Sequence, residues 1–166
     1  FRRVLFRSTL PHIFSLATDE DKRMYLRSYA LTYLKEEIVA EQILRKLEPF
    51  REFLEVAAQS NGKIINYSKI ARDVGVDTKT VISYFSILED TLIGIILPPF
   101  HRSIRKQQRE NPKFYYFDTG VKQALARTLE IPLVRGTYEY GNAFEHFIVT
   151  ELIRLSLYLY PDWRFF

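Results

Sequence analysis

The chain contains no cysteine, which excludes disulfide bridges and thiolate metal sites outright. It also lacks a long apolar stretch. The longest, Leu92 to Phe100, is about half of the roughly 20 residues a membrane helix requires. The charged, arginine-bearing start has no apolar core of the kind a secretory signal needs, so the sequence reads as cytoplasmic and without a membrane partner. Nor is there a large excess of one charge: 24 Lys and Arg stand against 20 Asp and Glu, a net of +4. Any nucleic-acid argument must therefore rest on where the charge lies. Catalytic signatures are missing too. The one Gly-Lys pair, Gly62-Lys63, has Ala57 where a P-loop needs glycine and Ile64 where it needs Ser or Thr, so the chain has no phosphate cradle of that kind. His12, His101 and His146 are scattered without zinc spacing, and no Gly-x-Ser-x-Gly elbow occurs.

What is present is a chain of 166 residues, 47% hydrophobic, enough to bury a core in one ordinary domain or two small ones. Its most informative stretch is Asn66–Pro99, NYSKIARDVGVDTKTVISYFSILEDTLIGIILPP. Asn66 is placed to cap a short helix with Ile70, Ala71 and Val74 on its buried side. Gly75 permits a turn through positive φ. Asp77 is placed to cap a second helix, in which Val81, Tyr84, Phe85 and Leu88 recur at helical spacing. Two helices joined by a short Gly-containing turn form a helix-turn-helix. The β-rich run Leu92–Leu97 comes next as the first strand of a wing, and Phe114–Phe117 reads as the returning strand. The polar segment His101–Lys113 lies between them as a long tip.

Around this unit the sequence predicts further helices. Residues 1–8, FRRVLFRS, look foreign to the rest of the chain and are read as a non-native remnant. Leu10–Ala17 suggests a short helix with Pro11 in its first turn. Thr18 or Asp19 caps a longer helix to about Glu41. Another runs from about Ile43 to Gln59, with Pro49 dividing it near its first turn and Ser60-Asn61-Gly62 ending it. Asp118-Thr119-Gly120 turns into a helix Val121–Leu129. Residues 130–140 read as a linker, Gly141–Tyr158 as a strong last helix, and Trp163–Phe166 as the start of a strand. Phe144, Phe147, Ile148, Glu151, Leu152 and Leu155 share one side of that helix. The expected fold class is therefore mainly α within α+β. It divides into a helical segment (1–61), a winged helix-turn-helix (62–129), and a linker with an interrupted further domain (130–166).

Two regions are candidates for nucleic-acid contact. Thr78, Lys79, Thr80, Ser83 and Tyr84 sit near the start of the second helix, where a recognition helix meets base edges in the major groove. Lys79 is its single cation, and Glu89 and Asp90 close it, so a solvated interaction surface is the competing reading. In the wing tip, Arg102, Arg105, Lys106, Arg109 and Lys113 face one acid, Glu110. They suit a phosphate backbone, although the same run also fits a solvated hairpin tip. Tyr115 and Tyr116 could stack on bases, but their alternation with Phe114 and Phe117 equally fits a buried strand. Glu145 and Glu151 lie about 120° apart around one helix and form no close carboxylate pair by themselves.

The order of motifs SYALTYLKEEI, INYSKIARDVGVDTKTVISYFSILEDT, LPPF, KFYYFDTGV and GNAFEHFIVTELIR resembles the C-terminal half of a bacterial and archaeal family of uncharacterised AAA-type ATPases. The resemblance covers nearly all of residues 10–166. It implies that an N-terminal P-loop ATPase precedes the winged helix and that a nuclease-like domain of the PD-(D/E)xK class comes after it. Glu145 would match the helix glutamate of such a nuclease, a single metal ligand. The chain departs from the pattern by lacking the P-loop region and the strand-borne acids. The expectation is thus a non-catalytic fragment, without ATP or magnesium of its own, that associates with double-stranded DNA, with its own ATPase domain, or with further copies of itself. A pure protein-interaction module is the alternative, and a free-standing transcription regulator is a third reading.

Overall fold

The structure is a computed structural model that describes residues 8–33, 48–102 and 110–166. It is mainly helical, with one small antiparallel sheet. A 3-10 turn, Pro11–Ser15, comes first. Helix α1 (Asp19–Ser28) is next, its first free N–H groups met by the Thr18 hydroxyl, which accepts from Asp21 N. The hydrogen bonding then widens to a π turn over Tyr29–Tyr33, so the α-helix is shorter than expected; the rest of that prediction, to Glu41, lies outside the described residues. Helix α2 (Glu48–Gln59) holds Pro49 in its first turn and buries Phe50, Phe53, Leu54, Ala57 and Ala58. The predicted start at Ile43 lies outside the described residues.

The helix-turn-helix forms where the caps place it. Helix α3 (Tyr67–Val74) is capped by Asn66, whose side chain accepts from Lys69 N, and ends at Gly75 with φ 71°. Helix α4 (Thr78–Asp90) is capped by Asp77, which accepts from Thr80 N. Ala71 is 5% exposed and belongs to the core, and the two helices pack on one another. The wing pairs β1 (Gly94–Leu97) with β2 (Lys113–Tyr116), from Gly94 opposite Tyr116 to Leu97 opposite Lys113. Strand β1 begins two residues later than predicted, because Leu92 takes a left-handed φ of 60° and closes the end of α4 through Leu92 N to Glu89 O. On its other side β2 is met by the segment after α2, through Gly62 N to Phe114 O and Ile65 N to Pro112 O. Helix α2 therefore completes a three-helix, winged arrangement.

An aromatic chain fills the core. Phe50 meets Tyr84 edge-on at 5.0 Å, Phe53 meets Phe85 at 4.9 Å, and Phe85 meets Phe114 at 5.0 Å, the tilted geometry that ring quadrupoles favour. The same core continues through Ile13, Leu26, Ala30, Val121 and Leu125, so the expected boundary after residue 61 falls inside continuous packing. Helix α5 (Thr119–Leu125) stops before the predicted Leu129, because Arg127 turns left-handed at φ 57°. Its cap, Asp118, also receives Thr9 N at 2.6 Å and the Thr9 hydroxyl at 2.9 Å. Ser8, grouped by sequence with a foreign start, is buried beside Gly120.

Helix α6 (Tyr138–Leu159) begins three residues before the predicted Gly141, capped by Thr137. Trp163–Phe166 does not form a strand. Trp163 instead folds back through its N–H to Tyr160 O and stacks on the Tyr160 ring at 4.4 Å, while Phe166 meets Phe100.

Candidate nucleic-acid interface

Helix α4 is amphipathic, so its caps and its buried side decide what it can offer. Val81, Tyr84, Phe85, Ile87 and Leu88 face the core. That removes Tyr84 from the predicted contact set, since it is wedged between Phe50 and Phe53. Lys79 and Ser83 are exposed and Thr78 is half-buried. The Thr80 hydroxyl donates to Asp77 at 2.7 Å, so it is committed to the cap. Asp77 is itself held below the usual carboxylate range, first by the Thr80 N–H and then by that hydroxyl. The outward face thus runs Lys79, Ile82, Ser83, Ser86, with Lys69 and Arg72 exposed on α3 and the acids Asp73, Glu89 and Asp90 at its margins.

The wing is less uniform than its sequence. Arg102 is exposed at its base; Arg105, Lys106 and Arg109 lie outside the described residues. Lys113 bonds Glu145 at 2.9 Å, so its charge is offset. Tyr115 and Tyr116 are both buried and unable to stack on bases. The Tyr116 hydroxyl donates to Leu54 O and its N–H to the Asn61 side chain.

The sequence offers less warning of how α6 docks. Its inward stripe is polar: His146, Thr150 and Arg154, each four residues apart. His146 Nε2 donates to Tyr116 O at 2.6 Å and Arg154 donates to Phe117 O at 2.5 Å, so both side chains serve backbone carbonyls at the end of β2. Burial pushes the His146 imidazole down to about 4, which keeps it neutral. Beside it, Glu145 accepts from the Tyr115 hydroxyl at 2.6 Å and from Lys113. Those bonds hold Glu145 below the usual carboxylate range, Tyr115 contributing most, while burial and Glu145 raise the Tyr115 hydroxyl. Glu145 here ties the wing to α6. No group of three or more acidic or imidazole ligands that could hold a metal occurs among the described residues. The opposite face of α6 is apolar and open, with Phe144, Leu152, Leu155 and Leu159 each more than a third exposed. Among the described residues no helix is long and apolar enough to cross a membrane.

These elements define a winged helix-turn-helix extended by helices on both sides. The chain belongs to a family described only as a domain of unknown function, DUF8612, which matches residues 1–131. That span includes the helix-turn-helix and the wing and stops before α6. The chain is also similar to two uncharacterized mycobacterial proteins, Mb2031c of Mycobacterium bovis and Rv2008c of Mycobacterium tuberculosis. Each is 26% identical over 153 residues, which is 92% of this chain but 35% of the relative. The chain therefore spans about a third of the length of these relatives. No solved structure matches it.

Proposed function

We propose that the chain is a DNA-associating winged-helix module, non-catalytic by itself, within a larger protein whose P-loop ATPase part is implied by the motif resemblance. The observation that carries this reading is the open face of α4. Lys79 and Ser83 stand exposed at the end of the helix that enters a major groove in such folds. Lys69, Arg72 and Arg102 are exposed on neighbouring elements, where they suit flanking phosphates. Ile82, 46% exposed between them, offers apolar contact of the kind a thymine methyl accepts. The modest charge argues for binding that is weak, strongly salt-dependent and largely sequence-independent. Glu145, tied to Lys113 and Tyr115, is assigned a structural role and not a nuclease role.

Duplex binding measured by fluorescence anisotropy across a salt series tests the proposal. Replacing Arg102, Arg105 and Lys106 together by alanine is expected to weaken binding and flatten the log–log salt slope by about three units, equally on unrelated sequences. A triple variant with the parent's affinity and slope overturns the wing's part in it. An absence of binding by the parent at low salt favours the second reading, a protein-interaction module. The specific observation behind that reading is the open apolar face of α6.

A further inference from the structure

A small cavity of about 130 Å³ lies between the end of α2, helix α5, the loop after it and the first turns of α6, lined by Lys63, Lys122, Gln123, Glu139, Asn142 and His146 among others. Three of its polar groups are open. The Lys122 ammonium and the Asn142 amide have no hydrogen-bond partner among the described residues, and neither does Nδ1 of His146. Because His146 Nε2 spends its proton on the Tyr116 carbonyl, the neutral ring presents Nδ1 as an acceptor. No fully enclosed side-chain polar atom among the described residues lacks a partner, so Nδ1 must border accessible space, and the cavity is what it lines. The larger cleft between α1, α2 and α5, about 630 Å³, differs in this respect. Its charges answer one another in the pairs Arg27–Glu130, Arg51–Glu48 and Arg127–Glu55.

The three side chains also feel one another. Lys122 is pushed down from the usual lysine range, first by burial and then by the Lys63 charge, and the Lys122 charge contributes to lowering His146. Two cations that repel across a cavity, beside an acceptor that no protein donor serves, are complementary to one ligand chemistry. It is an oxyanion that carries negative charge and retains a proton. The volume suits an ion of a few non-hydrogen atoms and is well below the several hundred Å³ of pockets that take larger molecules.

We infer that this cavity binds a phosphate-sized, proton-bearing oxyanion, with Lys122 and Lys63 meeting its charged oxygens, Asn142 donating to a third, and its P–OH donating to His146 Nδ1. Lys63 already gives one proton to Gln59 O and has others to offer. Glu139, exposed, is the one carboxylate in the lining among the described residues, and the two lysines offset its charge. The site is separate from the open face of α4 and does not depend on DNA association.

The test is calorimetric titration of the whole chain with inorganic phosphate and, separately, with sulfate, which has a similar size but no proton at neutral pH. Saturable, one-to-one phosphate binding with a Kd at or below about 1 mM is expected, with sulfate at least about tenfold weaker for want of the hydrogen bond to Nδ1. Lys122→Met is expected to weaken phosphate binding by about tenfold or more. Asn142→Ala, at a half-buried position, is expected to weaken it by severalfold and serves if Lys122→Met fails to fold. Lys79→Ala is expected to leave it unchanged. No saturable binding, equal affinity for sulfate, or parental affinity in a folded Lys122→Met or Asn142→Ala variant overturns the assignment. A loss equal to that of Lys122→Met in Lys79→Ala also overturns it, since that marks diffuse attraction to basic surface.

Discussion

His146 shows how one side chain can be legible in the sequence as an isolated histidine and yet decide how two elements meet. Its ring is 2% exposed and its Nε2–H serves the Tyr116 carbonyl; burial lowers it from 6.5 to about 4. In the unfolded chain the imidazole gains its proton near pH 6.5, while in the folded chain it does so only near 4. Between those values the unfolded state holds more protons, so stability falls as pH falls through that window. The difference corresponds to about 3 kcal/mol between pH 7 and pH 4. Glu145 acts in the same direction at lower pH: its ionised form is favoured by Tyr115 and Lys113, and that contribution is lost as pH drops through its lowered value. His146→Gln keeps an N–H for the carbonyl and cannot titrate. Chemical denaturation at several pH values is expected to show the parent weakening from pH 6.5 to 4 and the variant much flatter over that interval. Equal slopes for the two proteins contradict the assignment.

At the scale of elements, what can be read from the sequence depends on how local the determining physics is. Caps and turns are local, so Asn66, Gly75 and Asp77 take their predicted roles, while Asp118, read as part of a turn, caps a helix that starts two residues earlier than expected. The helix-turn-helix is legible almost residue by residue. Ends set by an unfavourable backbone are not, because nothing in the composition announces a left-handed Leu92 or Arg127. The strand predicted over Trp163–Phe166 does not form because aromatic content alone does not make a strand without a partner to pair with. The polar docking stripe of α6 is visible as His146, Thr150 and Arg154 at four-residue steps, but the apolar residues on the other side carry the stronger periodic signal. Among the candidate contacts, Lys79 and Ser83 stand exposed as expected, whereas Tyr84, Tyr115 and Tyr116 belong to the core. Ala71, buried in the core on α3, is the position at which added bulk probes the α3–α4 packing. Ala71→Phe is expected to cost on the order of 1–3 kcal/mol through overpacking, read as a lower denaturation midpoint with an unchanged slope. A variant as stable as the parent removes Ala71 from that contact.

For the whole molecule, α6 has a consequence that neither the winged helix nor the cavity shares. Its polar face is occupied by β2 and its apolar face is open, the reverse of the usual arrangement for a helix packed on a core. Phe144, Leu152, Leu155 and Leu159 recur at helical spacing along that face, and Trp163 and Tyr158 extend the apolar surface beyond it. A continuous stripe of this kind marks a contact surface. Burying the open half of one such side chain yields about 1 kcal/mol, so four from each of two copies give about 8 kcal/mol. The loss of translational and rotational freedom costs roughly 4–15 kcal/mol. The balance leaves at most about 4 kcal/mol, so self-association is weak, with half-dissociation expected at about millimolar concentration or above. Light scattering on a dilution series is therefore expected to show mass rising with concentration. Leu152→Glu combined with Leu155→Glu changes only exposed positions, and it is expected to give a monomer at every concentration with an unchanged melting profile. A parent that stays monomeric at the highest concentration, or a double variant that associates as the parent does, rules out this face as the contact.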